Sequence, residues 1–303
     1  MSNKMICPKC GTQGSIVKNG RTKNGTQRYR CKSCHKTSII NASPTKHLRN
    51  SDYCLKKFIG YMIDDVTLDV IARNLKINIK TALYYRFLVF YALQNYQNKV
   101  LLSGSILIDE TFISIREKRY KKTNPDGKNF RGLSFNQLCI ITLISLQGIC
   151  VAKVASRAMA LPNDYCRLFN INIGNVSRFL HDGNTKQYRF MKQFECDSVD
   201  VRRSESEDEE LSTKLIDSLH SNIKRYLFKH AGYRLKHIQH YLNFFVFRFN
   251  QISAANPKNK TKLLKTKTKM IETLFQWIMK TRKTITYRTF LKHDGISDIL
   301  KSR

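Results

Sequence analysis

The chain has 303 residues, of which 42% are hydrophobic, so it can form two or three domains and bury a core. Its formal net charge is +32. A compact surface with that charge repels itself unless a polyanion is near, which indicates nucleic acid or an anionic membrane surface as the partner. No apolar run approaches the ~18 residues of a membrane span, and the first residues lack the apolar region of a signal peptide.

Four of the nine cysteines form two C-x2-C pairs, Cys7 with Cys10 and Cys31 with Cys34. Each pair can place two thiolates on one ion, and two pairs complete a tetrahedron, so the spacing predicts a structural Zn2+ site. A pair of disulfides or a rubredoxin-type iron site are the alternatives. The other five cysteines stand singly, mostly among apolar neighbours, as free thiols do in a reducing cytosol.

The residues between the two pairs predict a small sheet. Residues 15–18 and 27–30 have strand character and a turn at Asn24 and Gly25 joins them, which predicts a zinc ribbon over residues 1–42. The stretch NGTQRYRCKSC that ends on the second pair resembles the ribbon that opens many bacterial insertion-sequence transposases, where it implies DNA binding. The basic residues expected to contact phosphates are Lys18, Arg21, Lys23, Arg28 and Arg30.

Residues 66–93 predict two helices separated by a short break. The first helix has an apolar face at i, i+3, i+4 and i+7, formed by Leu68, Ile71, Ala72 and Leu75. Asn78 is placed to cap the second helix. The pattern predicts a helix-turn-helix DNA-binding region over residues 43–100, with an ordinary helical hairpin as the alternative. The second helix offers these side chains to a major groove: Lys80, Thr81, Tyr84, Tyr85 and Arg86.

Two predicted strands end on acidic residues. The strand within residues 105–112 reaches Asp109, and the strand over residues 175–181 runs into Asp182. A lone carboxylate beside a strand that is buried on both faces is costly, so an acid there suggests a strand end that points at a metal. A solvated turn at the strand end is the alternative.

The order of the elements predicts an α/β fold. Residues 137–155 predict a hairpin with Gly148 in its turn, and a helix follows Pro162. Strand, hairpin, helix, strand and helix is the order expected of a ribonuclease H-like catalytic domain, a mixed sheet with flanking helices, over residues 101–250. Residues 251–303 are predicted to be a basic C-terminal extension that contacts phosphates.

The third candidate acid lies on a predicted helix over residues 211–227. Its apolar stripe consists of Leu215, Leu219, Ile223 and Leu227. Asp217 and Lys224 lie on the opposite side, almost two turns apart, and therefore project in the same direction. The acid can hold a metal and the lysine can bind a phosphate, while a solvated amphipathic face is the alternative.

Together, Asp109, Asp182 and Asp217 predict a site for Mg2+ or Mn2+. The stretches IDSLHSNIK, around Asp217, and GYRLKHIQHYLNFFVFRFN, which ends at Asn250, resemble the third-acid helix and following segment of ribbon-bearing DDE-class transposases. The resemblance implies that Asp109 and Asp182 are the first two acids. Asp217 stands where the family has Glu or sometimes Asn, and Lys224 matches the basic residue seven positions later.

The resemblance implies a cytoplasmic, nucleoid-associated transposase that binds double-stranded DNA at terminal inverted repeats and target sites as a homo-oligomer. Metal-dependent strand cleavage and strand transfer are its implied reactions. A catalytically inactive zinc-ribbon and helix-turn-helix DNA-binding protein derived from a transposase is the alternative. The acidic run over residues 205–210 is predicted to be a solvated loop, with Glu209 or Glu210 as the alternative third acid.

Overall fold

The computed structural model describes residues 5–23, 25–39, 44–45, 51–115, 136–201, 213–257, 259–281 and 296. The predictions on the acidic run, including Glu209 and Glu210, lie outside the described residues, as does Asn24 of the ribbon turn. Among the helices that these ranges contain, none is both long and apolar enough to cross a membrane.

The N-terminal residues form a three-stranded antiparallel sheet in the order β1-β2-β3. Its strands are β1 (Ile16–Arg21), β2 (Gln27–Cys31) and β3 (Thr37–Ser38). The Gly25 amide donates a hydrogen bond to the Thr22 carbonyl, at 2.9 Å, within the connection between the first two strands. The predicted ribbon hairpin is therefore confirmed, and β3 adds a strand that the sequence pattern did not indicate.

Three helices follow: α1 (Ser51–Ile63), α2 (Leu68–Asn74) and α3 (Ile79–Ala92). The Asn78 side chain accepts a hydrogen bond from the Lys80 amide at 2.8 Å, so Asn78 caps α3 as predicted. Lys76 lies in the turn between α2 and α3 with φ of 51°, in the left-handed region that favours glycine. This conformation turns the chain after α2, so that α3 can begin at Ile79.

Most of α3 is a core helix rather than an exposed recognition helix. The prediction that Tyr85 contacts DNA is wrong, because its side chain is only 1% exposed. The Arg86 guanidinium packs over the Tyr241 ring at 5.3 Å. The helix has no polar stripe beyond its first turn, since neighbouring helices cover its other sides. Of the other predicted contacts, Lys80 is exposed, and Thr81, Tyr84 and Arg86 are half-buried.

The larger sheet has five strands in the order β6-β5-β4-β7-β8. They are β4 (Leu102–Ser114), β5 (Gln137–Ser145), β6 (Cys150–Arg157), β7 (Ile173–His181) and β8 (Asp197–Asp200). β5 pairs antiparallel with β4 and β6, whereas β7 runs parallel to β4 and β8 runs parallel to β7. The β5–β6 hairpin and the strand that leads to Asp182 were both predicted.

Helices cover both faces of this sheet, so the predicted α/β fold with a mixed sheet is confirmed. They are α4 (Pro162–Phe169), α5 (Thr185–Met191), α6 (Lys214–Lys229) and α7 (Ile238–Ala255), while α8 (Lys260–Lys280) packs against α1, α3 and α7. Side chains alternate along β4, because successive residues of a strand point to opposite faces. Leu107 packs in the core that contains α6 and α7, whereas Ile106 and Ile108 pack against α4 and α5.

In the described part of the predicted C-terminal extension, residues 251–255 end α7 and Lys260–Lys280 form one continuous helix, α8. Met270, Leu274 and Ile278 of α8 are buried in the same core as α1 and α3. Lysines of its first half, such as Lys265 and Lys269, are exposed. The residues of α8 therefore both complete the core and present positive charge to solvent.

Charged groups join the turn between α1 and α2 to the end of α6. Asp65 lies in this turn and its carboxylate contacts His230 Nε2 at 2.9 Å, Lys229 Nζ at 3.1 Å and Arg248 Nη1 at 3.5 Å. Burial raises the pKa of Asp65, but the hydrogen bonds from His230 and Lys229 and the charge of Arg248 outweigh it and hold the pKa below its usual value. The ionised carboxylate therefore stabilises the folded state.

We expect Asp65→Asn to lower the free energy of unfolding at pH 7 by about 1–3 kcal/mol, because three basic groups lose their shared counter-charge. Since the folded pKa lies below the unfolded value, this stabilisation is complete above about pH 4 and is lost as the pH falls further. Urea denaturation measures the change. Glu272→Gln is the control, because it breaks an exposed ion pair with Lys56 and should change stability little. Equal effects of the two substitutions contradict the prediction.

Candidate metal centres and active site

The four ribbon cysteines lie in one cluster whose sulfur atoms are all within 4.8 Å of one another. Cys7 Sγ is 3.8 Å from Cys34 Sγ, and Cys10 Sγ is 3.7 Å from Cys31 Sγ. A tetrahedral Zn2+ with Zn–S bonds of about 2.3 Å requires sulfur separations of about 3.8 Å. All nine cysteines are free, so the disulfide alternative is wrong. The donor set fits a structural Zn2+.

Asp109 lies in the middle of β4, so the prediction that its strand ends there is wrong. β4 continues to Ser114, because it pairs with β5 as far as Gln137. The parallel neighbour β7 ends earlier, with His181 paired to Ile108. Asp109 therefore lies where the pairing with β7 stops, and this gap leaves its carboxylate accessible from the sheet face.

Asp182 follows the last residue of β7 and so lies beside Asp109 at the end of the parallel pairing. Its Oδ1 accepts a hydrogen bond from the Asn184 amide at 3.2 Å. Gly183 has φ of 79°, and a Cβ there would lie 2.6 Å from Asp200 Oδ2. The positive φ favours glycine, and a larger residue would also have to displace the Asp200 carboxylate.

α6 lies over the same face of the sheet and brings Asp217 to Asp109. One ligand atom each of Asp109, Asp217 and His220 lie within 4.8 Å of one another. Asp182 lies outside this group, but it is close enough for its charge to raise the pKa of Asp109. Asp217 stands where the transposases that the sequence resembles have Glu. Although its side chain is shorter, it lies close to Asp109.

The carboxylate of Asp109 is electrostatically strained in the absence of a cation. Burial raises the pKa of Asp109 to about 7, and the charges of Asp182, Glu110 and Asp217 also raise it, against a hydrogen bond of 2.7 Å from the Glu110 amide. A divalent cation favours the ionised form of such a carboxylate. The arrangement thus fits a Mg2+ or Mn2+ site in chemistry as well as in geometry.

His220 belongs to this site and was not identified from the sequence. Its side chain is 7% exposed, and Nδ1 lies 3.8 Å from Asp109 Oδ2. Burial lowers the pKa of His220 to about 4, and the charge of Lys224 lowers it as well, so the imidazole is neutral at pH 7. The signal in the sequence was the spacing Asp-x-x-His, since residues three apart are neighbours on a helix.

Lys224 is exposed on α6, seven residues after Asp217. Its effect on the pKa of His220 indicates that its ammonium group lies on the side of the helix that carries the site. The predicted arrangement of an acid and a lysine on one side of α6 is compatible with these positions.

Glu110, the neighbour of Asp109, points to the opposite face of the sheet and was not identified as important. Its carboxylate accepts hydrogen bonds from the Tyr165 hydroxyl and, at 3.0 Å, from Asn184 Nδ2. Burial raises the pKa of Glu110. Because Asn184 also caps α5, Glu110 ties β4 to the turn that carries Asp182.

Two parts of the chain, the N-terminal ribbon and the region of the larger sheet, match known protein families. Residues 101–250, from β4 to most of α7, match the ISXO2-like transposase domain. Residues 2–35 match the InsA N-terminal domain, which is a zinc ribbon. Among curated proteins, none matches the chain. By the two family matches, the chain belongs to the insertion-sequence transposases that carry an N-terminal zinc ribbon.

Proposed function

We propose that the protein is an active DDE-class transposase that cleaves and joins DNA strands at the ends of its element, with divalent ions held by Asp109, Asp182 and Asp217. The observation that carries this proposal is the convergence of Asp109 and Asp217 on one face of the sheet, with Asp182 beside them. The strand order, with only β5 reversed, supports the ribonuclease H-like assignment of residues 101–250.

Each residue of the proposed site has a role that follows from its chemistry. The three carboxylates supply the hard oxygen ligands that Mg2+ and Mn2+ prefer. The bound ions would stabilise the attacking and leaving oxygens of a phosphodiester, first with water and then with a 3′-hydroxyl as the nucleophile. Lys224, exposed beside the site, binds a phosphate of the DNA backbone.

Three surfaces support the binding of double-stranded DNA. In the ribbon, all five of the predicted phosphate contacts are exposed: Lys18, Arg21, Lys23, Arg28 and Arg30. The helix-turn-helix of residues 43–100 presents the start of α3, with Lys80, to a major groove. The first half of α8 adds exposed lysines. We propose that two or more copies assemble on the terminal repeats, because both ends of an element must be cut and joined together.

We expect Asp109→Asn to abolish strand cleavage and strand transfer, lowering both rates about 10³-fold or more, because an amide is a poor metal ligand. The assay uses Mg2+ and Mn2+ with duplexes that carry the inverted repeats flanking the gene. Asp197→Asn is the control, because Asp197 is exposed at the start of β8. Full cleavage by Asp109→Asn contradicts the proposed function, and a wild type that binds these duplexes without nicking them indicates the inactive DNA-binding alternative.

The same substitution should stabilise the metal-free protein. The folded pKa of Asp109, about 7, lies above the value of an unfolded aspartate, so ionisation destabilises the fold as the pH rises from about 4 to 7. Asp109→Asn removes this cost, and we expect about 1–3 kcal/mol more unfolding free energy at pH 7.5 in the presence of a chelator. Urea denaturation measures it, and a destabilised variant shows that lost activity reflects lost folding.

We expect Cys31→Ser to remove the bound Zn2+ and to weaken DNA binding by about tenfold or more, because the ribbon and its basic residues lose their order. Metal analysis and fluorescence anisotropy measure the two effects. Cys196→Ser is the control, since Cys196 stands alone and half-buried outside the ribbon. Retention of one Zn2+ per chain in Cys31→Ser contradicts the predicted ligand set.

Neutralising α8 should reduce the salt dependence of DNA binding. We expect Lys265→Gln with Lys269→Gln to reduce the slope of log K against log salt by about 2, because each lost phosphate contact removes about 0.9. Arg189→Gln with Lys192→Gln is the matched control, because both of these side chains are exposed on or just after α5. An unchanged slope in the α8 variant excludes α8 from the DNA-binding surface.

A further inference from the structure

His220 lies one helical turn after Asp217 on the buried side of α6. Residues at i and i+3 of a helix are neighbours, and this spacing lets a carboxylate and an imidazole share one ion, as in the Glu-x-x-His pairs of metal-binding helical bundles. The imidazole faces β4 and β5, so it lies between the helix and the strand that carries Asp109. None of the proposed roles above uses this side chain.

A chain of two hydrogen bonds fixes which ring nitrogen of His220 carries the proton. Thr142 Oγ1 lies 3.1 Å from the Asp109 carbonyl oxygen, which can only accept, so the Thr142 hydroxyl donates its one proton there. The same hydroxyl oxygen lies 2.7 Å from His220 Nε2 and must therefore accept from it. Nε2 carries the hydrogen, and Nδ1 is left with a free lone pair.

The lone pair of Nδ1 is directed to the site rather than to a hydrogen-bond donor. Nδ1 lies 3.8 Å from Asp109 Oδ2, which is too long for a hydrogen bond. Two ligands of one octahedral ion with bonds of about 2.1 Å are about 3.0 Å apart when adjacent and about 4.2 Å apart when opposite. The separation of 3.8 Å lies between these two values, so a shift of under 1 Å would bring both atoms to adjacent positions on one ion. Nδ1, Asp109 and Asp217 are therefore close enough to share a cation.

We propose that His220 binds the divalent ion of the active site through Nδ1, next to Asp109 and Asp217, and that this nitrogen makes the site prefer Mn2+ to Mg2+. Imidazole is a good ligand for transition metals, whereas Mg2+ prefers oxygen and keeps its waters. Thr142 is a positioning residue, because it orients the ring and holds the proton on Nε2. The inference rests on the proposed function, since it assigns a further ligand to the same ion.

The test is pulsed electron paramagnetic resonance of Mn2+ added to the full-length, tag-free protein with Zn2+ already in the ribbon. A directly bound imidazole gives a ¹⁴N coupling on the Mn2+ signal, which oxygen ligands do not give. We expect this coupling in the wild type and its loss in His220→Gln. Titration should show Mn2+ affinity falling about tenfold or more in His220→Gln, with Mg2+ affinity changing less than about threefold.

Thr142→Val separates coordination from structural support. This variant keeps the imidazole but removes the hydroxyl that holds the Nε2 proton, so we expect the ¹⁴N coupling to persist with Mn2+ affinity about tenfold weaker. Circular dichroism and thermal melting confirm that both variants fold. Unchanged Mn2+ affinity in Thr142→Val overturns the positioning role.

The outcomes distinguish this inference from the proposed function on which it rests. Mn2+ that binds without a ¹⁴N coupling, or a coupling that survives in His220→Gln, overturns the role of His220 and leaves the carboxylate site standing. If the wild type shows no Mn2+ binding that is weakened by Asp109→Asn, both proposals are overturned together.

Discussion

The Asp109 carboxylate lies on the face of β4 that α6 covers, where burial raises its pKa to about 7. A charge in this position is costly unless a cation or hydrogen-bond donors compensate for it. The charges of Asp182 and Asp217 add to this cost, and among the described residues only the Glu110 amide is seen to donate a hydrogen bond to the carboxylate. The electrostatic cost of the metal-free state is therefore concentrated at the atoms that a divalent ion would bind.

α6 connects the acidic site to the turn between α1 and α2. Its first turns carry Asp217 and His220 to the sheet, and its C-terminal end contacts Asp65 through Lys229 and His230. Asp65 belongs to the turn between α1 and α2, and α1, α3, α6 and α7 contribute to one hydrophobic core. α6, which carries Asp217, is therefore packed in the same core as α3.

The sequence predicted those features that depend on neighbouring residues. Cysteine spacing gave the ribbon, Asn78 gave the start of α3, and the strand that leads to Asp182 had a clear apolar pattern. Features that depend on distant partners were missed or wrong. Asp109 seemed to end its strand because β5, which extends the pairing, begins more than twenty residues later. Tyr85 looked available to DNA because residues that pack against it, such as Phe58 of α1, are distant in sequence. His220 was not identified as a site residue from the sequence, because its position depends on the packing of α6 over Thr142 of β5.

The distribution of charge explains why one chain combines a net charge of +32 with a cluster of acids. The exposed basic residues of the ribbon and α8 repel each other in solution, whereas the charges of Asp182 and Asp217 oppose the ionised form of Asp109 within the site. On the proposed function, DNA phosphates would relieve the first repulsion and divalent cations would relieve the second. A phosphodiester brought to the acids without cations would increase their repulsion, so DNA and metal favour each other's binding there. On the proposed function, this mutual dependence confines strand cleavage to complexes in which both are present.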